Sequence, residues 1–257
     1  MSARRVATLT ETVADALRTK IYAGEMAPGE RLPSEPELMS ACGVSRTTVR
    51  RALLQLIHEG LVQSRQGVGY HVRSVTPLVW VASRPERNTR TDISPADVWS
   101  AGVREQGREP REDIEVGITV PPARIAARLQ LGEGEAAVVR RRDRRVDGEI
   151  MLLADSYYPE RLVGGTAVAQ PGDVLPGTYA VLAGLGYGWV RSRDEITIRM
   201  PTREESARLG LAEGTPVGEH VRTSWAADAT PVRVQVCVLP GDRNVVVYEL
   251  QEEADEQ

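Results

Sequence analysis

The sequence predicts an α+β chain of two domains: a small, mostly helical N-terminal domain closed by a hairpin, then a larger one with a mostly antiparallel sheet and flanking helices. Three observations carry this. Residues 9–60 hold three apolar stripes at helical spacing, each with its own start and stop residues. The second half repeats itself at an offset of 80 residues, and its run "PVRVQVCVLP" (231–240) alternates with period two. At 257 residues the chain is long enough for two modest cores. The expected division is 1–75 for the first domain, 76–93 for a linker, and 94–257 for the second. The linker mixes Pro, Arg and Thr around one apolar run at 78–82 that reads as a short strand.

A composition of 41% hydrophobic and 26% charged residues is that of a globular protein, and no stretch approaches the ~18 apolar residues of a membrane span. The N-terminus has no continuous apolar segment of the secretory type, so a cytoplasmic protein with no membrane partner is expected. Cys42 and Cys237 lie in different halves without metal or redox spacing and are expected as small buried side chains. Formal net charge is −4. Residues 1–75 nonetheless carry ten Arg and Lys against seven Asp and Glu, which leaves 22 against 29 for the remainder. The first domain is locally basic inside an acidic protein, as a surface that meets phosphates requires.

The first helix is read from the spacing of Leu9, Val13, Leu17 and Ile21, with a break at Gly24. Ser34 and Glu37 form a capping box that opens a second, short helix stopped by Gly43. Ser45 caps a third that runs to about Glu59, with Val49, Ala52, Leu53, Leu56 and Ile57 on one face. At 100° per residue, Thr47, Arg50 and Arg51 project opposite that face and Arg46 lies on its flank. Guanidinium groups at the first turns of such a helix can reach guanine edges and phosphates in the major groove. Leu54 also projects outward, and the sequence does not say what covers it. In "LVQSRQGVGYHVR", apolar runs flank "RQGVG", whose glycines permit a tight turn, so a hairpin wing follows the third helix.

The run "GEMAPGERLPSEPELMSACGVSRTTVRRALLQLIHEGLVQSRQGVGYHV" resembles the winged helix-turn-helix DNA-binding domain of the GntR family of bacterial transcription regulators. The resemblance covers residues 10–73. It implies DNA contacts from Ser45, Arg46, Thr47, Thr48 and Arg50, to which the outward projection adds Arg51, and a wing tip at Gln66 and Gly67 that reaches the minor groove. Pro36 departs from the pattern, where some members carry a basic residue that touches the DNA backbone.

In the second half, "PPARIAARLQLGEGEAAVVRRR" at 121 and "PTREESARLGLAEGTPVGEHVR" at 201 align without a gap. Each copy reads as a helix, a strand, a turn (Asp147-Gly148 or Asp228-Ala229) and a second strand, which implies a pseudo-symmetric antiparallel sheet. In 231–240 the valines alternate with Arg233, Gln235 and Cys237, so one face is expected in the core and the other free for a ligand.

Residues 90–250 resemble the UTRA effector domain of the HutC-type subfamily, which shares its fold with chorismate lyase. The match rests on Arg142, Arg144, Asp147 and Gly148, on "SYYP" from Ser156 to Pro159, on "TYAVL" around Tyr179, and on "LPGDR". The resemblance implies a small-molecule pocket lined by Arg142, Arg144 and Tyr179, with Asp155, Tyr157 and Arg233 nearby. Members that bind amino-sugar phosphates carry glutamates where this chain has Ala154 and Arg233. Because Arg140, Arg142 and Arg144 would crowd one strand face, an acidic metabolite is the expected effector. An effector-modulated DNA-binding regulator, a repressor acting as a homodimer on an inverted-repeat operator in double-stranded DNA, is the function expected. Two alternatives are a chorismate lyase-like enzyme and a ligand-independent DNA-binding protein. The three histidines, His58, His71 and His220, form no catalytic or metal-ligand spacing, so no enzyme activity, metal or cofactor is expected.

Overall fold

The computed structural model describes residues 8–65, 68–74, 76–84, 98–175, 177–211 and 214–250. The chain divides into two units, the first of residues 1–76 with 210–215 and the second of residues 77–209 with 216–257. The first opens with α1 (Leu9–Tyr22), where the Thr8 hydroxyl accepts from Glu11 N–H and the Glu11 carboxylate accepts from Thr8 N–H. That reciprocal cap satisfies two of the N–H groups a helix start leaves without partners. Val13, Ala14 and Leu17 are buried, while Leu9, expected on the same stripe, is exposed one turn short of the core. α2 (Glu35–Cys42) begins at the Ser34–Glu37 capping box and ends at Gly43, whose φ of 64° lies in the left-handed region that glycine adopts without strain. α3 (Arg46–His58) starts at Ser45, whose hydroxyl accepts from Thr48 N–H at 3.2 Å. Its Val49, Ala52, Leu53 and Leu56 pack against Leu17, Leu32, Leu38, Val62 and Val72 in one core.

One expectation about this unit is corrected. Cys42 is exposed, because the short α2 buries only Leu38 and Cys42 falls on its outer side; Cys237 alone is buried. Leu54 projects outward as expected and is 49% exposed. The hairpin forms from β1 (Val62–Arg65) and β2 (Gly69–Val72), antiparallel with Val62 opposite Val72. Gln66 and Gly67, the expected wing tip, lie outside the described residues.

The second unit is a six-stranded antiparallel sheet in the order β4-β5-β6-β9-β8-β7. Its strands are β4 (Pro110–Thr119), β5 (Ala137–Val146), β6 (Glu149–Pro159), β7 (Trp189–Arg199), β8 (Val217–Ala226) and β9 (Pro231–Pro240). β3 (Leu78–Val81) and β10 (Asn244–Val247) form a separate parallel pair. α5 (Ala123–Leu129) packs Ile125 and Leu129 on one sheet face against Val139, Tyr157, Val234 and Val236. α8 (Arg203–Leu209) is its counterpart in the second repeat. The other face is covered by α4 (Val98–Glu105) and β3 at one end. At the other end it is covered by α6 (Glu160–Val163), a 3-10 turn (Ala167–Ala169) and α7 (Thr178–Gly184).

The internal repeat is structural. α5 and β5 sit 80 residues before α8 and β8 at both ends of each element. Two three-stranded meanders meet at the central β6–β9 pair, antiparallel with Ser156 opposite Gln235, as a two-fold relation between the copies requires.

β9 differs from expectation, since every residue in it is buried and the face expected to be free is covered as well. The strand expected within 76–93 forms as β3 and belongs to the second unit. Leu78 N–H donates to the Arg243 carbonyl and Ala82 N–H to that of Val247, both at 2.8 Å. On its other edge the Gln106 amide accepts from Val79 N–H at 3.0 Å and donates to the Val79 carbonyl at 2.9 Å. Residues 85–93 of the expected linker, and 94–97 of the expected second domain, lie outside the described residues. No described helix is long and apolar enough to cross a membrane.

Candidate functional site

On the first unit, α3 turns its buried stripe inward and presents Ser45, Arg46, Thr47, Arg50 and Arg51 outward, with Thr48 half-buried at the cap. The side chains of Arg46 and Arg50 are 69% and 62% exposed. Both approach one carboxylate, Glu35 at the start of α2: the Arg46 Nε donates to it at 2.6 Å and the Arg50 Nε lies 3.7 Å away. Tyr70 of β2 also donates to Glu35, at 3.3 Å. The Arg46 hydrogen bond holds the Glu35 carboxyl below the usual carboxylate range. Sequence reasoning missed Glu35, which ties helix, recognition face and hairpin together. Exposed pairs of this kind contribute little to stability and yield easily to a competing phosphate.

On the second unit, strand register decides which side chains converge. Arg140, Arg142 and Arg144 share one face of β5 with Ser156 and Ala154 of β6, Arg233, Gln235 and Cys237 of β9, and His220 and Arg222 of β8. All of these are buried. Arg140 is fully buried and donates to three backbone carbonyls: those of Val168 at 2.9 Å, Gln170 at 3.0 Å and Gly172. Burial first, and the Arg142 charge second, pull the Arg140 guanidinium below its ordinary range. Arg142 and Arg144 each place Nε 3.2 Å from Glu112, and Arg144 also lies over the Trp99 ring at 4.9 Å. Arg233 lies 4.6 Å over the Trp189 ring, whose edge meets Tyr179 of α7 at a centroid separation of 4.6 Å. Gln235 bridges Arg233 and the Ser156 hydroxyl, both at 3.5 Å.

Beside this cluster, Arg222 holds Asp194 through two 2.6 Å hydrogen bonds and donates to the Ala82 carbonyl at 2.6 Å. Although burial opposes it, the Arg222 and His220 hydrogen bonds hold Asp194 well below the carboxylate range. His220 meets the Trp80 ring edge-on at 4.9 Å and lies 3.2 Å from the Tyr248 hydroxyl. The segment just after β3 is thus fastened to the arginine-bearing face.

Two residues expected in the pocket are corrected. Asp155 and Tyr157 lie on the opposite face, opposite Arg141 and Val139. Tyr157 belongs to the apolar core under α5, and burial pushes the Asp155 carboxyl up. The reason is a β-bulge. From the tight Asp147–Gly148 turn, uninterrupted pairing that starts at Val146 and Glu149 would set Arg140 opposite Asp155. A one-residue shift between Arg144 and Arg145 sets it opposite Ser156 instead and inverts every later side chain. Gln235 and Arg222, which the sequence reading did not select, were within reach of it: Gln235 shares the parity of Arg233, and Arg222 is the repeat partner of Arg142. Among the described residues no group of three His, Cys, Asp or Glu side chains is placed to hold a metal ion.

Residues 9–72 match the profile of the bacterial regulatory proteins of the gntR family, and residues 105–244, more than half the chain, match that of the UTRA domain. The chain belongs to the GntR family of regulators and carries a UTRA domain. The regulator is 30% identical to an HTH-type transcriptional regulator of Streptomyces coelicolor, over 93% of this chain and 91% of that protein. It is 25% identical to the mannosyl-D-glycerate transport/metabolism system repressor MngR of Escherichia coli over 86% of each chain. It is likewise 25% identical to the transcriptional repressor NagR of Bacillus subtilis over 92% of each. A crystal structure of a GntR-family transcriptional regulator superposes with a TM-score of 0.63 at 27% identity, covering 96% of this chain and 98% of that one. PhnF from Mycobacterium smegmatis shares the fold, at 21% identity and a TM-score of 0.57 over 94% and 100% of the two chains. These relatives are transcriptional regulators and not enzymes, which sets aside the lyase alternative. Regulators of this family bind DNA, and UTRA domains bind small-molecule effectors.

Proposed function

We propose that this regulator is a homodimeric repressor that reads an inverted-repeat operator through α3 and its wing, and that an acidic small molecule bound to the arginine-bearing sheet face modulates that binding. One helix-turn-helix reads only a few base pairs, so selectivity over a genome requires two half-sites. Two of its relatives are named as repressors. The DNA contacts fall to Ser45, Arg46, Thr47, Thr48, Arg50 and Arg51 from α3, and to Gln66 and Gly67 from the wing tip.

The observation that carries the effector reading is the gathering of Arg140, Arg142, Arg144 and Arg233 on one buried face. Like charges this close raise the free energy of the empty site, and an anion lowers it. Arg142, Arg144 and Arg233 are the residues assigned to the anion. Tyr179 contributes through Trp189, while Ser156 and Gln235 offer neutral hydrogen bonds that fix orientation. Effector binding alters operator affinity only if the DNA-competent and DNA-incompetent arrangements differ in affinity for it.

The test is a titration of anionic and neutral metabolites against the protein–operator complex, with the operator selected from random DNA. An acidic metabolite should change operator affinity, and Arg142→Ala and Arg233→Ala should weaken that response. A response to neutral sugars alone refutes the anion. No response to any metabolite, with operator binding intact, supports the ligand-independent alternative.

A further inference from the structure

The outer edge of β7 is unlike the rest of the sheet. It is eleven residues long, and no other strand pairs with that edge among the described residues. Its alternation divides cleanly between the faces. Ile196 and Ile198 project on the arginine-bearing face, opposite His220 and Gly218 of β8, and remain 47% and 71% exposed. Met200, just beyond the strand, is exposed as well. Glu195, Thr197 and Arg199 project on the other face. A long, regular edge with exposed isoleucines is a pairing template that soluble proteins either blunt or use.

We propose that β7 is the homodimer interface, pairing antiparallel with β7 of a second copy about a two-fold axis at Thr197. This rests on the homodimer reading above. In a symmetric antiparallel pair the partners are equidistant from the axis and share a face. An axis at Thr197 sets Ile196 against Ile198 of the second copy, and Ile198 against its Ile196. On the other face it sets Glu195 against Arg199, again twice. The strand is complementary to itself in both apolar contact and charge.

The repeat supplies an internal comparison. The equivalent edge strand, β4, carries Glu115 and Thr119 where β7 has Glu195 and Arg199, so the same pairing there brings no opposite charge to the glutamate. Ile118 and Val120 of that edge match Ile198 and Met200 and are similarly exposed, but Val116, the counterpart of Ile196, packs against the core, so charge and apolar contact together distinguish the two edges.

The test uses the full chain with Cys42→Ser, which removes the exposed thiol. Residues directly opposed across an antiparallel pair have Cα atoms about 4.5–5.5 Å apart, within disulfide reach. Thr197→Cys is therefore expected to form a covalent dimer on mild oxidation, and the β4 equivalent, Gly117→Cys, is expected not to. Ile198→Arg, at a solvent-facing position, is expected to raise the dimer dissociation constant at least tenfold by sedimentation equilibrium with an unchanged thermal transition. A wild-type chain that remains dimeric while Thr197→Cys fails to cross-link overturns the interface and leaves the homodimer standing. A chain that is monomeric at tens of micromolar overturns both. Cross-linking through Gly117→Cys instead assigns the interface to β4.

Discussion

The arginines of the two units live under opposite physical conditions. Those of α3 stand in solvent, held loosely by the single carboxylate of Glu35. Those of the sheet are buried, and Arg140 donates through its two terminal nitrogens to three backbone carbonyls. An exposed guanidinium costs little to keep and little to move, so it suits a partner that arrives and leaves. A buried one is costly unless fully hydrogen-bonded, so it is either structural or reserved for a ligand that enters the same environment. The same side chain therefore carries different consequences in each unit, and substitutions can separate them.

The largest expected effect is at Arg140. Arg140→Met removes three hydrogen bonds and leaves their carbonyls buried, a loss of about 3 to 5 kcal/mol. All four tryptophans, Trp80, Trp99, Trp189 and Trp225, lie in the second unit, so their fluorescence during urea unfolding reports that unit. A shift in midpoint no larger than that of a surface control would mean that Arg140 is not structural. Arg46→Ala and Arg50→Ala should leave this transition in place while weakening operator binding roughly 5- to 150-fold and relaxing base preference. A loss that is uniform across DNA sequences, with a shallower salt dependence, would reassign the arginine to a phosphate.

Between these extremes stands Arg199, a quarter exposed and bonded to Glu205 through two 2.7 Å contacts. The Arg199 hydrogen bonds, despite opposing burial, hold the Glu205 carboxyl down to about 2 from an ordinary 4.5. Because the folded value is the depressed one, the stabilisation is complete above pH 4.5 and disappears as pH falls toward 2. Glu205→Gln should thus cost about 1 kcal/mol at pH 7, after allowance for solvent screening, and nothing near pH 2. A pH-independent difference in urea midpoint would show that packing, not ionisation, sets it. The smallest effect concerns Glu35→Gln, which frees Arg46 and Arg50. Non-specific DNA should bind about two- to threefold more tightly at low salt, with the gain fading as salt rises. Weaker binding would show that Glu35 orients the arginines more than it competes for them.

The first unit was the more legible in the sequence because its signals are local. Ser34 with Glu37, Gly43 and Ser45 fix helix ends within a few residues, and the stripe from Val49 to Leu56 fixes which side of α3 faces out. What binds α2 to α3 and β2 was not local: Glu35 meets Tyr70 across 35 residues of chain. In the second unit the offset of 80 announced the repeated helix and strand correctly, since an insertion-free repeat preserves spacing. The pocket was less readable. A bulge is a departure of one residue in pairing with no fixed residue signature, and it moved Asp155 and Tyr157 to the far face. The parallel pairing of β3 with β10 joins segments more than 160 residues apart, and no periodicity encodes such a partner.

The duplicated architecture of the second unit sets two copies of one helix–strand–strand motif about a local two-fold relation at the β6–β9 seam. Arg142 and Arg222 keep equivalent places, but elsewhere the copies have diverged: Arg140 corresponds to His220, Arg144 to Ser224, and Ala154 to Gln235. A face with true two-fold symmetry offers an asymmetric molecule two identical poses and cannot distinguish its head from its tail. Divergence at these three positions leaves a single pose, so whatever lies on this face is read with a direction.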